Sequence, residues 1–198
     1  MLFICTLQEI KEELEIKDPA DDVVLTRHAE GLQDRFEEYL NRDLLRAENF
    51  VEICDGGAHA VLLSRFPLES VATVHQSQQQ VWDDNSLVDA KNYTLHLDRG
   101  RVIWTPQGAT TKSWAAGEQS IRVVYTGGYV GAGTSAQAGQ TPMPDAIRGG
   151  YMIQFSYEWR NRRTLGTSAV SAQGSSVTMS PAKLLAMATE AMGHFRRF

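Results

Sequence analysis

Residues 120–163 read S-I-R-V-V-Y-T-G-G-Y-V-G-A-G-T-S-A-Q-A-G-Q-T-P-M-P-D-A-I-R-G-G-Y-M-I-Q-F-S-Y-E-W-R-N-R-R, and they decide the fold. Alternation through Tyr125 predicts a strand, and Gly127-Gly128 ends it. A run of small and polar residues follows, predicting a mobile loop. A helix is then predicted over 144–163, with Pro144 pre-set for its first turn and Asp145 beside the positive end of its dipole. Ile147, Tyr151, Phe155 and Trp159 recur every fourth residue, and Met152, Ile153 and Tyr157 widen the apolar arc to a second side. That is more width than one core needs, so the helix is expected to pack in its own subunit and against another. Gly149-Gly150 in a helix interior costs about 1 kcal/mol each relative to alanine, which predicts close backbone approach by a neighbouring element.

Upstream, Thr6 and Glu9 have capping-box spacing, and Leu7, Ile10 and Leu14 give a short amphipathic helix. Beyond Pro19, Asp21 and Asp22 are expected to accept the unpaired N–H groups of a second helix. Leu25, His28, Leu32, Phe36, Tyr39 and Leu40 form its apolar stripe. His28 has no second ligand at helical spacing and reads as a packed core histidine.

From Phe50 the period drops to two. F-V-E-I-C, A-V-L-L-S, S-V-A-T-V-H, Q-V-W, Y-T-L-H-L, R-V-I-W and S-I-R-V-V-Y are predicted as six or seven strands. Asp55-Gly56-Gly57 and Asp98-Arg99-Gly100 can supply the positive φ of tight hairpins. The fold class is therefore α+β, a small helical bundle with an inserted antiparallel β-sandwich or barrel. The divisions are N-terminal helices 1–48, β-insertion 49–126, flexible loop 127–143, central helix 144–163, flexible linker 164–180 and a C-terminal docking helix 181–198. The linker T-L-G-T-S-A-V-S-A-Q-G-S-S-V-T-M-S is uncharged and poor in apolar residues, and alone it should be disordered. The last helix carries Leu184, Leu185, Ala188, Met192 and Phe195 on one side and ends in Arg196-Arg197.

The 198 residues suffice for one sizeable core or a core with an inserted subdomain. No run approaches the length of a membrane span, and the basic start of a secretory signal is missing, which points to a cytoplasm. Net charge is −5, unevenly distributed. Residues 1–143 hold 12 Lys+Arg against 21 Asp+Glu, a balance of −9, and residues 144–198 hold 7 against 3, a balance of +4. The basic end is a candidate surface for something acidic, and solvated arginines at helix ends account for it equally. Cys5 and Cys54 have no metal or redox spacing and read as small apolar residues.

The chemical motifs are sparse. The glycines near 127–139 lack the G-K-[S/T] of a phosphate loop. G-x-S-x-G, H-E-x-x-H and Cys/His/Asn signatures are missing, so no catalytic residues, cofactor or metal are assigned and no enzyme is expected. Asp83, Asp84, Asn85 and Asp89 could offer oxygen ligands to calcium without the full loop pattern. Trp82, Trp104 and Trp114 could stack on sugars or fill the core between sheets, which leaves a carbohydrate-binding β-module of a phage or bacterial surface protein as the alternative reading.

In order, T-L-Q-E-I-K-E-E-L at 6–14, A-D-D at 20–22, Y-L-N-R-D-L at 39–44, V-V-Y-T-G-G-Y at 123–129, M-P-D-A-I-R-G-G-Y at 143–151, W-R-N-R-R at 159–163 and H-F-R-R-F at 194–198 form a set. By this set the chain resembles the head-tail connector (adaptor, or head-completion) proteins of long-tailed bacteriophages. The resemblance covers both ends of the chain, and Gly149-Gly150 departs from it where an alanine-like helix former is expected. It implies a non-enzymatic structural virion protein in the neck, made in the host cytoplasm. Such a protein forms a dodecameric ring on the portal protein, can be a monomer alone, receives a stopper or tail-completion protein, passes genomic DNA without sequence preference, and needs no membrane. Carried to this sequence, Phe195, Arg196, Arg197 and Phe198 are the portal-contact candidates. Tyr151, Phe155, Trp159, Arg160, Arg162 and Arg163 are the subunit-interface or lumen candidates.

Overall fold

The computed structural model describes residues 2–106, 113–162, 170–172, 175–177 and 184–197. The chain forms two compact units, one of residues 1–41, 131–133 and 143–198, the other of residues 42–130 and 134–142.

The first unit is helical. Helix α1 (Leu7–Glu13) begins with the expected capping box, Thr6 Oγ1 accepting from Glu9 N and Glu9 Oε2 accepting from Thr6 N at 2.7 Å. The expected aspartate cap of α2 (Asp22–Leu40) is displaced. Asp18 caps a 3-10 turn, Pro19–Asp21, by accepting from Ala20 N, while Asp21 makes no side-chain cap and Asp22 pairs with Lys11 at 2.6 Å. Proline at the first position of that turn lets it lead straight into α2, which removes the need for a separate cap. Leu25, Leu32, Phe36 and Leu40 are buried as the stripe predicts, joined by Ala29 and Gln33. Asn41, in the left-handed conformation, ends the helix.

Helix α3 (Asp145–Asn161) packs on α1, α2 and α4 (Ala186–Met192). Three neighbours use its wide apolar arc. Tyr151 and Phe155 are 0% exposed and Trp159 is 6% exposed, so these subunit-interface or lumen candidates pack into the core of their own helical unit. Gly150 shows the anticipated close approach, since a Cβ there would lie 3.2 Å from Ala188 O and 3.3 Å from Met192 Cγ. Gly149 does not, for its Cβ would meet nothing within 4 Å. Within the expected linker 164–180, β9 (Val170–Ala172) pairs antiparallel with β10 (Ser175–Val177), and the rest of that stretch lies outside the described residues.

The second unit is the β-insertion. Strands β1 (Ala47–Cys54), β6 (Ile121–Gly127) and β3 (Leu68–Gln76) form one antiparallel sheet, and β2 (Ala60–Leu62), β5 (Arg101–Trp104) and β4 (Tyr93–His96) form another. Val61, Leu63, Leu68, Val74, Val102, Trp114, Ile121, Val123 and Tyr125 fill the core they share, and the sheets do not close into a barrel. Asp98-Arg99-Gly100 turns β4 into β5 with Gly100 at φ 58°. Asp55-Gly56-Gly57 instead leads from one sheet to the other, because β1 and β2 do not pair. Q-V-W is not a strand, since Gln80 takes φ 57° and Val81 N bonds back to Ser77 Oγ. The stretch 127–143 is held at both ends by β7 (Tyr129–Val130) pairing in parallel with β8 (Thr141–Pro142).

Candidate functional site

The terminal segment is seated on its own unit. After α4 a 3-10 turn, Gly193–Phe195, brings the chain across the end of α2. There Arg197 N donates to Leu40 O at 2.9 Å, satisfying a carbonyl that the end of a helix leaves without an internal partner. The exposed Arg196 holds its guanidinium 5.4 Å over the Tyr39 ring. Phe195 is half-buried, and Phe198 lies outside the described residues.

On α3 the arginines and the aromatic rings separate. Tyr151 Oη donates to Ala29 O at 2.8 Å and its ring meets Phe36 edge-on at 5.4 Å. Tyr151, Phe155 and Trp159 stack in succession at 6.1 and 6.3 Å. Arg160 and Arg162 are exposed at the helix end, Arg162 with its guanidinium 4.2 Å over Trp159, and Arg163 lies outside the described residues.

Sequence reasoning missed the polar centre of this unit. Glu158, 3% exposed, receives Arg35 on both oxygens and Gln154 Nε2 at 2.6 Å. Gln154 Oε1 in turn accepts from Leu185 N at 2.7 Å, fixing the start of α4. His28 Nε2 lies 3.3 Å from Glu158 Oε2, and its ring meets Phe155 edge-on at 5.1 Å. Burial pushes the Glu158 carboxyl up, but the Arg35 and Gln154 hydrogen bonds and the Arg35 charge outweigh it and hold it below the usual range. Burial, with the charge of Arg35, outweighs the pull of the adjacent Glu158 carboxylate and holds His28 below its ordinary value. The available signal was a Gln and a Glu spaced i, i+4 inside an otherwise apolar arc.

A second polar cluster joins α1 to α3. Arg148 donates to Glu9 Oε1, and burial pushes the neighbouring Cys5 thiol up to about 11, which keeps it protonated. Cys54 is half-buried, and both cysteines are unbridged.

In the second unit the acidic loop is occupied with its own backbone. Asp83 accepts from Asn85 N and Ser86 N, and Asp89 accepts from Lys91 N. Among the described residues no three His, Cys, Asp or Glu side chains are grouped to hold a metal ion. The tryptophans form no sugar platform. Trp114 is 1% exposed, donates from Nε1 to Val102 O at 3.2 Å, and packs 4.6 Å from Trp104, while Trp82 lies against His75. His75 Nδ1 is 3.0 Å from Ser86 Oγ, but that hydroxyl is donated to Asp83 O and accepts from Asp83 N, so the pair closes a turn. No helix among the described residues is long and apolar enough to cross a membrane.

The two units, a helical bundle and an inserted pair of antiparallel sheets, define a fold shared with solved particle-neck structures. One is a chain from the neck of an empty gene transfer agent particle computed with C6 symmetry, 12% identical, covering 98% of this chain and 90% of that one, with a TM-score of 0.50. Another is a chain from the virion of a native gene transfer agent particle, 12% identical over the same shares, with a TM-score of 0.53. This agrees with the head-tail connector resemblance carried by the motifs. No protein-family model and no curated protein sequence matches the chain.

Proposed function

We propose that the chain is a structural subunit of the neck of a phage-like particle. In this reading it forms an adaptor ring that binds the portal after DNA packaging, bears the stopper or tail-completion protein, and lines part of the DNA channel. The observation that carries this is the fold shared over 98% of the chain with a neck chain, together with the ordered motif set at both ends. A dodecameric ring assembled in the host cytoplasm and retained in the virion fits it, since each subunit of a cyclic assembly must present two different faces. Phe195, Arg196, Arg197 and Phe198 are the portal contact in this reading, and the described part of the segment meets α2 through contacts that a partner could replace, among them Arg197 N on Leu40 O and Arg196 over the Tyr39 ring. Arg160, Arg162 and Arg163 face DNA or a neighbouring subunit, and any phosphate contacts they make carry no sequence preference.

The test is capture of the cognate portal protein by the full chain. Deleting residues 181–198 is unsuitable, because Ala188 and Met192 are core residues of the helical unit. Arg196→Glu with Arg197→Glu should abolish capture. Undiminished capture removes the terminal segment as the contact, and a wild-type chain that never binds the portal overturns the reading.

A further inference from the structure

Among the described residues, the helical unit has a groove that its own packing leaves open. It is an open cleft of about 620 Å³ between α1 and α3, floored by Gly149 and Met152 and rimmed by Glu9, Glu12, Glu13 and Asp145. Glu9 is paired with Arg148. Glu12, Glu13 and Asp145 are exposed. Two features of the cleft run against the stability of the unit that contains it. Glu12 and Glu13 occupy the last turn of α1, where the negative end of the helix disfavours carboxylates, a cost that Lys11 in the same turn and the Gln8 Nε2 bond to Glu12 at 2.7 Å offset only in part. Gly149 lowers helix stability in mid-α3, yet no neighbour comes within 4 Å of its missing Cβ, unlike Gly150. At Gly149 a local rule is broken with no neighbour filling the space, which marks a surface kept for something else.

The complementary charge is on the same chain but out of reach. Arg160 stands exposed at the far end of α3, about 22 Å from Asp145 along the helix, more than two screening lengths in physiological salt. Acidic groove and arginine end can therefore meet only between two copies.

We propose that the groove receives the arginine-bearing end of α3 from a second copy, Arg160 leading, with its guanidinium on the Glu13 and Asp145 carboxylates. Guanidinium and carboxylate match in a two-bond geometry, and bare backbone at Gly149 lets the aliphatic stem lie flat on the groove floor. A contact between two unlike patches is heterologous and propagates head to tail, which is the contact a ring needs. The inference rests on the ring reading above and names the faces that meet.

Two charge reversals of the full chain test it, Glu13→Lys with Asp145→Lys and Arg160→Glu with Arg162→Glu, followed by sedimentation alone and mixed. Wild type self-associates, more weakly as salt rises. Each reversal alone associates at least about tenfold more weakly, because its two faces now carry like charge. An equimolar mixture regains association, because each reversed face meets its opposite on the other variant, and misfolding could not be cured by mixing. Gly149→Leu fills the groove without altering charge and should lose association while melting no lower than wild type. Wild-type monomers at every concentration, reversals that associate normally, a mixture that gains nothing, or a Gly149→Leu chain that associates as wild type would each overturn the groove assignment. Portal capture retained in that case leaves the adaptor reading standing, and portal capture lost by wild type fails that reading instead.

Discussion

Arg35 on α2 grips Glu158 on α3 with both guanidinium nitrogens, Nη1 to Oε2 at 3.1 Å and Nη2 to Oε1 at 2.5 Å, across 123 residues of sequence. The carboxylate is buried and the arginine one-third exposed, so the cost of breaking the pair falls mainly on Glu158. Arg35→Ala should lower stability by about 3 kcal/mol in chemical denaturation, because it strands a buried charge. Arg35→Met combined with Glu158→Leu should recover much of that loss, since no charge is then left behind.

Acid should weaken the helical unit in two stages. His28 is held below its ordinary value of 6.5, so the unfolded chain binds its proton first, and the stability it contributes above pH 6.5 is lost as pH falls toward the folded value. Glu158 is held below 4.5, and its contribution, full above that pH, is lost on further acidification through its lowered folded value. Melting temperature should therefore begin to fall as pH drops below 6.5 in wild type, before the carboxylate range is reached. That early fall should vanish in His28→Phe and persist in Tyr39→Phe.

Neighbouring glycines should respond oppositely to alanine. Gly149→Ala should raise stability by up to about 1 kcal/mol, because the space is open and helix propensity improves. Gly150→Ala gains the same propensity but must displace the Ala188 carbonyl of α4, 3.2 Å from the new methyl, and should melt below Gly149→Ala. Equal melting temperatures would mean that α4 yields without cost.

In the β-unit, Tyr125 Oη donates to Glu52 Oε2 at 2.5 Å and accepts from Arg65 N at 3.2 Å. Tyr125→Phe removes both and should cost about 1–3 kcal/mol, with the Arg65 amide left unsatisfied. Hydrogen exchange at Arg65 should accelerate while Val123, deep in β6, stays protected.

Gly128 has φ 101°, and a Cβ there would lie 2.8 Å from Arg46 Cα and from Leu45 O. Backbone atoms cannot swing aside, so Gly128→Ala should cost more than about 2 kcal/mol. Urea denaturation of that variant against Gly139→Ala, whose Cβ meets nothing within 4 Å, separates crowding from the shared positive φ.

Much of the fold was legible because its signals are local. The Thr6/Glu9 box, the α2 stripe, six of the strands and the Gly100 turn each lie within a few residues of their cause. The site was less legible. The wide arc of α3 points to more than one neighbour, but width alone does not reveal that α1, α2 and α4 all pack there. Glu158 could not be paired in advance with Arg35, for nothing near either residue announces the other. Trp114 offered a ring to solvent or to the core, and only the facing β5 carbonyl at Val102 decided between them.

The β-insertion begins and ends at one seam. Tyr129 N donates to Leu44 O at 2.8 Å and Arg46 N to Tyr129 O at 2.9 Å, while Gly128 lies flat against Arg46. Once that seam has closed, the helical unit experiences the whole insertion as a short loop between α2 and the strand that leaves it. Loop-closure entropy then scales with the few residues outside the seam. The insertion can accordingly be lengthened, trimmed or exchanged between its seam strands at little cost to the bundle, and sequence drift should be freest there and slowest at the seam itself.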